Sequence, residues 1–179
     1  MAGEAAGLYL DLMKKCLAFT LWEEPYIPVE AVMMNYRFHR RTLLRAFTRV
    51  LRSFHLRAVQ DADYDQSRRA EGRMWPAYAD TMIRLARLDN IQFCVESALR
   101  DNVAGDLLEA GVWRGGGTIL MRAVLAAHQV RDRRVWVADS FQGLPKPDAM
   151  ASPADAGDRH HRFEYLAVSR EQVAANFRR

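Results

Sequence analysis

From Glu4 to Trp22, the apolar residues Leu8, Leu12, Leu17, Leu21 and Trp22 recur at steps compatible with a helix. The run Glu24-Pro25-Tyr26-Ile27-Pro28 ends it, because each proline drives the preceding residue away from helical angles. A clearer period follows from about Tyr36 to Leu56. There Phe38, Leu43, Phe47, Val50, Leu51 and Phe54 recur mostly at three- and four-residue steps, with Arg41, Arg45, Arg49 and Arg52 on the other face. This predicts an amphipathic basic helix whose apolar stripe, Leu43, Phe47, Val50 and Phe54, packs against the core or a second subunit. Asp61-Ala62-Asp63-Tyr64-Asp65 reads as an acidic loop, and Tyr78 to Arg87 as a short helix or turn. Asp89 is the expected N-cap of a helix through Leu99. Met33, Met34, Trp75 and Cys94 are expected to serve packing.

After a polar break from Asp101 to Gly105, Asp106 to Ala110 reads as a short buried strand and Gly111 to Gly117 as a glycine turn. Thr118 to His128 is an apolar helix, and Arg133 to Ala138 a second strand that ends at Asp139-Ser140. Strand, turn, helix and strand make one βαβ unit with parallel strands and a right-handed crossover. A loop rich in Pro, Ala and Asp follows from Gly143 to Gly157, and Val168 to Arg179 begins another helix with Ser169 as its N-cap. Two strands do not make a doubly wound sheet, so either further strands escape the pattern or the chain is a fragment of a longer domain; the fragment is favoured, an α/β fold with a partial sheet.

The chain has 179 residues and half of them are hydrophobic, a globular profile of single-domain size. No apolar run approaches the roughly 20 residues that cross a bilayer, and no leader pattern opens the chain. Cys16 and Cys94 lack close cysteine partners, which fits a reduced, cytoplasmic protein. The net charge of +4 is unevenly spread: residues 31–60 hold seven arginines and no acid. This basic helix is one candidate surface for nucleic acid, membrane or an acidic partner, but no nucleic-acid motif accompanies it. His160-His161 beside Asp155 and Asp158 lacks the spacing of a metal site.

The chemistry concentrates around Glu109-Ala-Gly111-Val-Trp113-Arg-Gly115-Gly116-Gly117. Here a strand delivers Glu109 at its carboxyl end, Gly111 permits a sharp turn, and the glycines at 115–117 are expected to let a ligand approach the next helix. Asp139, 28 residues after Gly111, ends the second strand, where a carboxylate can accept two hydrogen bonds from a ribose diol. Each feature alone has a bland reading, a tight turn or a capping carboxylate. Together, on one βαβ unit, they point to a nucleoside-bearing ligand. A dinucleotide fingerprint wants Gly-x-Gly-x-x-Gly and an acid about 20 residues on. Gly111-x-x-x-Gly115 with Trp113-Arg114 inside the turn disfavours it, which leaves an NAD-dependent oxidoreductase as an alternative only. An acid two residues before the first glycine suits a ligand with a cationic amino group, as in the first two motifs of class I S-adenosylmethionine (SAM) methyltransferases.

The strings Asp80-Thr-Met-Ile83, Arg87-Leu-Asp-Asn90, Leu108-Glu-Ala-Gly-Val-Trp-Arg-Gly-Gly116, Val135-Trp-Val-Ala-Asp-Ser-Phe141, Gly143-Leu-Pro145 and Val168-Ser-Arg-Glu-Gln-Val173 resemble the macrocin O-methyltransferase (TylF/MycF) family. The resemblance runs from about Tyr78 to the end of the chain and is looser over residues 1–75. It implies a Rossmann-like class I SAM methyltransferase fold whose first part occupies 76–179, with 1–75 as a helical extension; the apolar stripes of that extension are expected to build a substrate lid and a homodimer contact. It also implies transfer of a methyl group from SAM to a sugar hydroxyl of a glycosylated natural product, with Mg2+ as a second cofactor. Glu109, Ala110, Gly111, Val112 and Trp113 would line the methionine part of SAM and Asp139 would hold the ribose. Ser140, Phe141, Gln142 and Gly143 would form the adjoining loop, Thr81 and Met82 would close over the cofactor, and Ser169 would touch it. The family's metal-binding carboxylates and catalytic base lie in an Arg-Leu-Asp-Gly-Asp-like segment and an Asp-Asp pair, neither of which precedes Arg179. Catalytic and metal residues are therefore expected after Arg179. A non-catalytic interaction module built around the basic helix is the competing reading from another class.

Overall fold

The computed structural model describes residues 3–24, 26–32, 38–61, 63–74, 77–148 and 150–179. Met33, Met34, Trp75 and the Tyr36-Arg37 start expected for the basic helix lie outside them. At the centre, β3 (Leu107–Ala110) and β4 (Val135–Ala138) pair in parallel with Leu107 opposite Val135 and Ala110 opposite Ala138. The connection between them is α6 (Gly116–Ala127), so the βαβ unit read from the sequence is present. The strands alternate as a pleat requires. Leu107 and Val135 turn toward the helical layer, while Leu108 (62% exposed) and Trp136 (50%) face away from it.

That layer consists of α1 (Glu4–Leu17), α5 (Leu85–Arg100) and α6. Leu10, Leu17 and Ala18 meet Leu88 and Val95 of α5 and Leu120, Ala123, Val124 and Leu125 of α6 in one cluster. The α1 segment thus belongs to the same core as the βαβ unit. Its buried face is Leu10 and Leu17 with Met13 beside them, not the Leu8 and Leu12 stripe, which is exposed. The helix stops at Leu17 rather than Trp22 because Phe19 adopts a left-handed φ of 53°, and the Phe19 and Thr20 amides close the last turn on Cys16 and Lys15. Leu21 and Trp22 then fall outside it, exposed. Similarly, α5 begins four residues before the expected cap, and the Asp89 carboxylate takes a hydrogen bond from Lys14 Nζ at 2.5 Å instead.

The remaining N-terminal segment holds β1 (Tyr26–Pro28), the single-turn α2 (Val29–Val32), α3 (Phe38–Ser53), β2 (Val59–Asp61) and α4 (Gln66–Ala70). β1 and β2 pair antiparallel, a ladder the sequence reading missed because three-residue strands carry no legible alternation. The basic helix is present, and its apolar stripe does not pack against the core of this chain, the first of the two placements expected for it. Leu43, Phe47, Val50 and Phe54 are 73%, 54%, 57% and 70% exposed and stand outside the core cluster, while Thr48 is buried and Arg41, Arg45, Arg49 and Arg52 line a cavity with much of their side chains still in solvent. Among the described residues no helix is long and apolar enough to cross a membrane.

One buried ion pair ties these parts together. The Glu24 and Arg69 side chains are each 1% exposed, with Nε and Oε1 3.9 Å apart. The Arg69 guanidinium donates to the Ala18 carbonyl, and the Glu24 carboxylate accepts the backbone N–H groups of Tyr78 and Ala77.

Candidate functional site

The glycine turn between β3 and α6 is built by left-handed backbone at Gly111 (φ 77°), Trp113 (φ 51°) and Gly115 (φ 89°). The three glycines that follow one another do a different job from the one expected. A Cβ on Gly116 would lie 2.6 Å from the Asp80 carbonyl oxygen, and one on Gly117 would lie 2.5 Å from Glu109 Oε1. At Gly115 the close neighbours are Val173 and Phe177 of the C-terminal helix α7 (Arg170–Asn176) and its end. The space that a Cβ would take at 115–117 is filled by protein, whereas at Gly111 it is open.

Glu109 points back into the fold. Its carboxylate accepts hydrogen bonds from the Thr118 hydroxyl and the Thr118 amide at the start of α6, an acid at the positive end of a helix. Burial pushes its pKa up against those hydrogen bonds, and the Asp139 charge adds to the rise. Asp139 caps the turn from the other side: Oδ2 accepts the Val112 amide at 2.7 Å and Oδ1 the Phe141 amide at 2.8 Å. The loop beyond it is fastened by Ser140 Oγ donating to the Gly143 carbonyl and accepting from the Gln142 amide.

Around this carboxyl edge of the sheet lies a cavity of about 390 Å³, the position where ligands of doubly wound sheets bind. It brings together Met82, Gly111, Trp113, Asp139, Ser140 and Gly143 of the expected residues. Ala138, Leu144, Pro145 and Leu166 complete its wall. Leu166 follows a segment without periodicity, and no sequence signal marked it. The Trp113 ring is held by its Nε1 donating to the Tyr165 carbonyl at 2.9 Å. The Arg114 guanidinium stands 4.2 Å over that ring and donates to the carbonyls of Ala77 and Ala79 at 2.9 and 2.7 Å.

The family model described as macrocin O-methyltransferase matches residues 6–179. The chain belongs to the macrocin O-methyltransferase family. It is 46% identical over 177 residues to demethyldecarbamoylnovobiocin O-methyltransferase of Streptomyces niveus, with 97% of the chain and 56% of that protein covered. It is 43% identical to an 8-demethyl-8-(2,3-dimethoxy-alpha-L-rhamnosyl)-tetracenomycin-C 4'-O-methyltransferase of Streptomyces olivaceus, covering 100% of the chain and 58% of that protein. The solved structure of the O-methyltransferase NovP superposes with a TM-score of 0.69 at 45% identity, over 97% of this chain and 58% of that one. The chain thus spans under three fifths of the length of these relatives.

In this macrocin O-methyltransferase family chain, the other expected site residues stand around the cavity without lining it. Thr81 is buried and its hydroxyl accepts the Ile83 amide; Val112 is buried behind the turn. Ala110 ends β3, and Phe141 and Gln142 belong to the fastened loop. Ser169 caps α7 by accepting the Gln172 amide at 3.2 Å. Its helix in turn reaches the turn through Asn176, which donates to the Arg114 carbonyl at 2.9 Å.

Proposed function

We propose that this chain holds the donor half of a SAM-dependent O-methyltransferase that methylates a sugar hydroxyl on a glycosylated natural product, with SAM bound in the cavity at Asp139. The observation that carries this reading is the convergence of Gly111, Trp113 and Asp139 with Met82, Ser140 and Gly143 on one cavity at the sheet's carboxyl edge. Each Asp139 oxygen spends one lone pair on a backbone amide and keeps another for a vicinal ribose diol. Gly111, the one glycine of the turn with open space, leaves room for the donor against the end of β3. Glu109 acts from behind, fixing the start of α6 through Thr118 rather than touching the donor. When bound, SAM supplies a methyl group on a sulfonium centre, and the chain contributes its position and orientation. The buried Trp113 stands with Arg114 inside the Gly111-x-x-x-Gly115 turn, which lacks the glycine spacing of a dinucleotide fingerprint and argues against that alternative.

The family resemblance implies Mg2+ as a second cofactor. Among the described residues no group of three or more His, Cys, Asp or Glu side chains stands together. The free Cys16 and Cys94 suit a reducing cytoplasm. Exposure of Leu43, Phe47, Val50 and Phe54 along one helix supports self-association, which sedimentation of the wild-type chain against Phe47→Glu tests.

Calorimetric titration with S-adenosylhomocysteine is expected to give a Kd on the order of micromolar, unchanged by magnesium. Asp139→Ala should weaken it by roughly tenfold or more, the size of a charge-assisted hydrogen bond. Binding of NADH in place of S-adenosylhomocysteine would reverse the assignment.

A further inference from the structure

A second cavity, of about 800 Å³, lies beside the first. The two share segments at consecutive or nearby residues: Trp113 lines the donor cavity and Arg114 its neighbour, Leu166 the one and Tyr165 the other, Met82 the one and Tyr78 the other. The larger cavity is walled by arginine. Arg41, Arg45, Arg49 and Arg52 come from one face of α3, and Arg57, Arg114 and Arg162 from three other segments. Two carboxylates already sit there: Glu164 binds Arg45 at 3.0 Å and Glu30 binds Arg52 at 3.1 Å. Those pairs demonstrate the local preference, and they leave the wall with a clear excess of positive charge. The side chains of Arg49, Arg57 and Arg162 have no hydrogen-bond or ion-pair partner among the described residues. An ordinary solvated basic helix spreads its charge over a convex surface; here the arginines line a concave wall, which focuses their field inward. The helix even exposes its apolar stripe to place them there, with Thr48 buried between.

We infer that this cavity takes the part of the acceptor remote from the methylated sugar, and that it selects acceptors bearing an acidic group such as a carboxylate, an acidic enol or a phosphate. The proposal rests on the methyl-transfer reading for the word acceptor. Its chemistry rests on the arginine wall. Guanidinium forks match planar and phosphoryl anions in two-point contacts, and a neutral glycoside would leave the unpaired arginines without an opposite charge.

The test uses the whole chain and two fluorescent glycosides of the same sugar, one on 7-hydroxycoumarin-3-carboxylate and one on neutral 7-hydroxycoumarin, with a nucleoside diphosphate sugar as a third probe. Fluorescence anisotropy at low ionic strength should show the acidic glycoside binding roughly tenfold or more tighter than the neutral one, a preference that fades with salt. Tighter binding of the nucleoside diphosphate sugar would support the inference with phosphate as the anion's source. Arg49→Gln and Arg57→Gln should each erase most of the preference, whereas Arg87→Gln, which removes the same charge outside the cavity, should not. Equal binding of the acidic and neutral glycosides, or an equal effect of Arg87→Gln, overturns the inference. S-adenosylhomocysteine titrated in parallel separates the two readings. If it fails to bind while the acidic preference persists, the methyl-transfer reading falls and the anion site stands; if it binds and the preference is absent, the anion site falls alone.

Discussion

Replacing Glu24 by alanine is expected to lower stability by about 3–5 kcal/mol, because it leaves Arg69 charged, 1% exposed and unpaired. A domain of this size is stable by only about 5–15 kcal/mol, so the variant should unfold at much lower urea or temperature. The pair is not a simple source of stability, however. Burial pushes the Glu24 carboxyl up despite the Arg69 guanidinium and the two backbone N–H groups, and burial pushes Arg69 down. At 3.9 Å, with Glu24 Oε1 and Arg69 Nε lacking hydrogen-bond partners, attraction does not repay desolvation. Replacing both residues together by methionine should therefore recover most of the loss, and urea unfolding of the single and double variants measures it. The raised carboxyl also sets a pH dependence. Its contribution to stability is fully present below its ordinary value of 4.5 and is lost as pH rises through the raised value. The stability of the wild type relative to Glu24→Gln should thus fall from pH 4.5 to neutral. A gap that stays constant or widens over that range would show that the carboxylate is stabilised by its surroundings after all.

The second large effect is expected at Gly116. An alanine there places its Cβ 2.6 Å from the Asp80 carbonyl oxygen and 2.8 Å from Thr81 Cβ. The obstacle is backbone on one side and a buried threonine on the other, so neither yields as a flexible side chain would. The variant should lose about 1–3 kcal/mol or more through overpacking. It should also lose S-adenosylhomocysteine binding, since the displaced strand of chain carries Met82 into the donor cavity and donates the Asp80 carbonyl that receives the Gly116 amide at 3.0 Å. Gly7→Ala is the matched control. Nothing lies within 4 Å of a Cβ at Gly7, and it sits inside α1, so the same substitution there should raise stability by roughly 0.5–1 kcal/mol. Thermal unfolding and ligand titration on both variants check the contrast; a Gly116→Ala chain that binds and melts like the wild type would show the turn to be looser than its contacts imply.

The βαβ unit was legible in the residues themselves. A short strand rich in apolar residues, a glycine turn and an apolar helix can be read without a partner because strand pleat and helix period are local properties, and Ser169 as a cap is local too. Elsewhere the local signal was misleading for identifiable reasons. Asp89 looked like a cap but is taken by Lys14, 75 residues away. Leu8 and Leu12 looked like the buried stripe, yet which face of α1 is covered depends on where α5 and α6 stand. The glycines at 115–117 looked like a ligand's approach because a sequence shows that space is needed and not what fills it; here Asp80, Glu109 and α7 fill it. The family, the α/β class and the residues at the sheet's carboxyl edge were therefore determined by the sequence alone. Which of those residues meet in one cavity, and that the arginine face of α3 lines the neighbouring one, were decided only by the tertiary structure. Burial and net field are sums over segments far apart along the chain, and no window of sequence contains them.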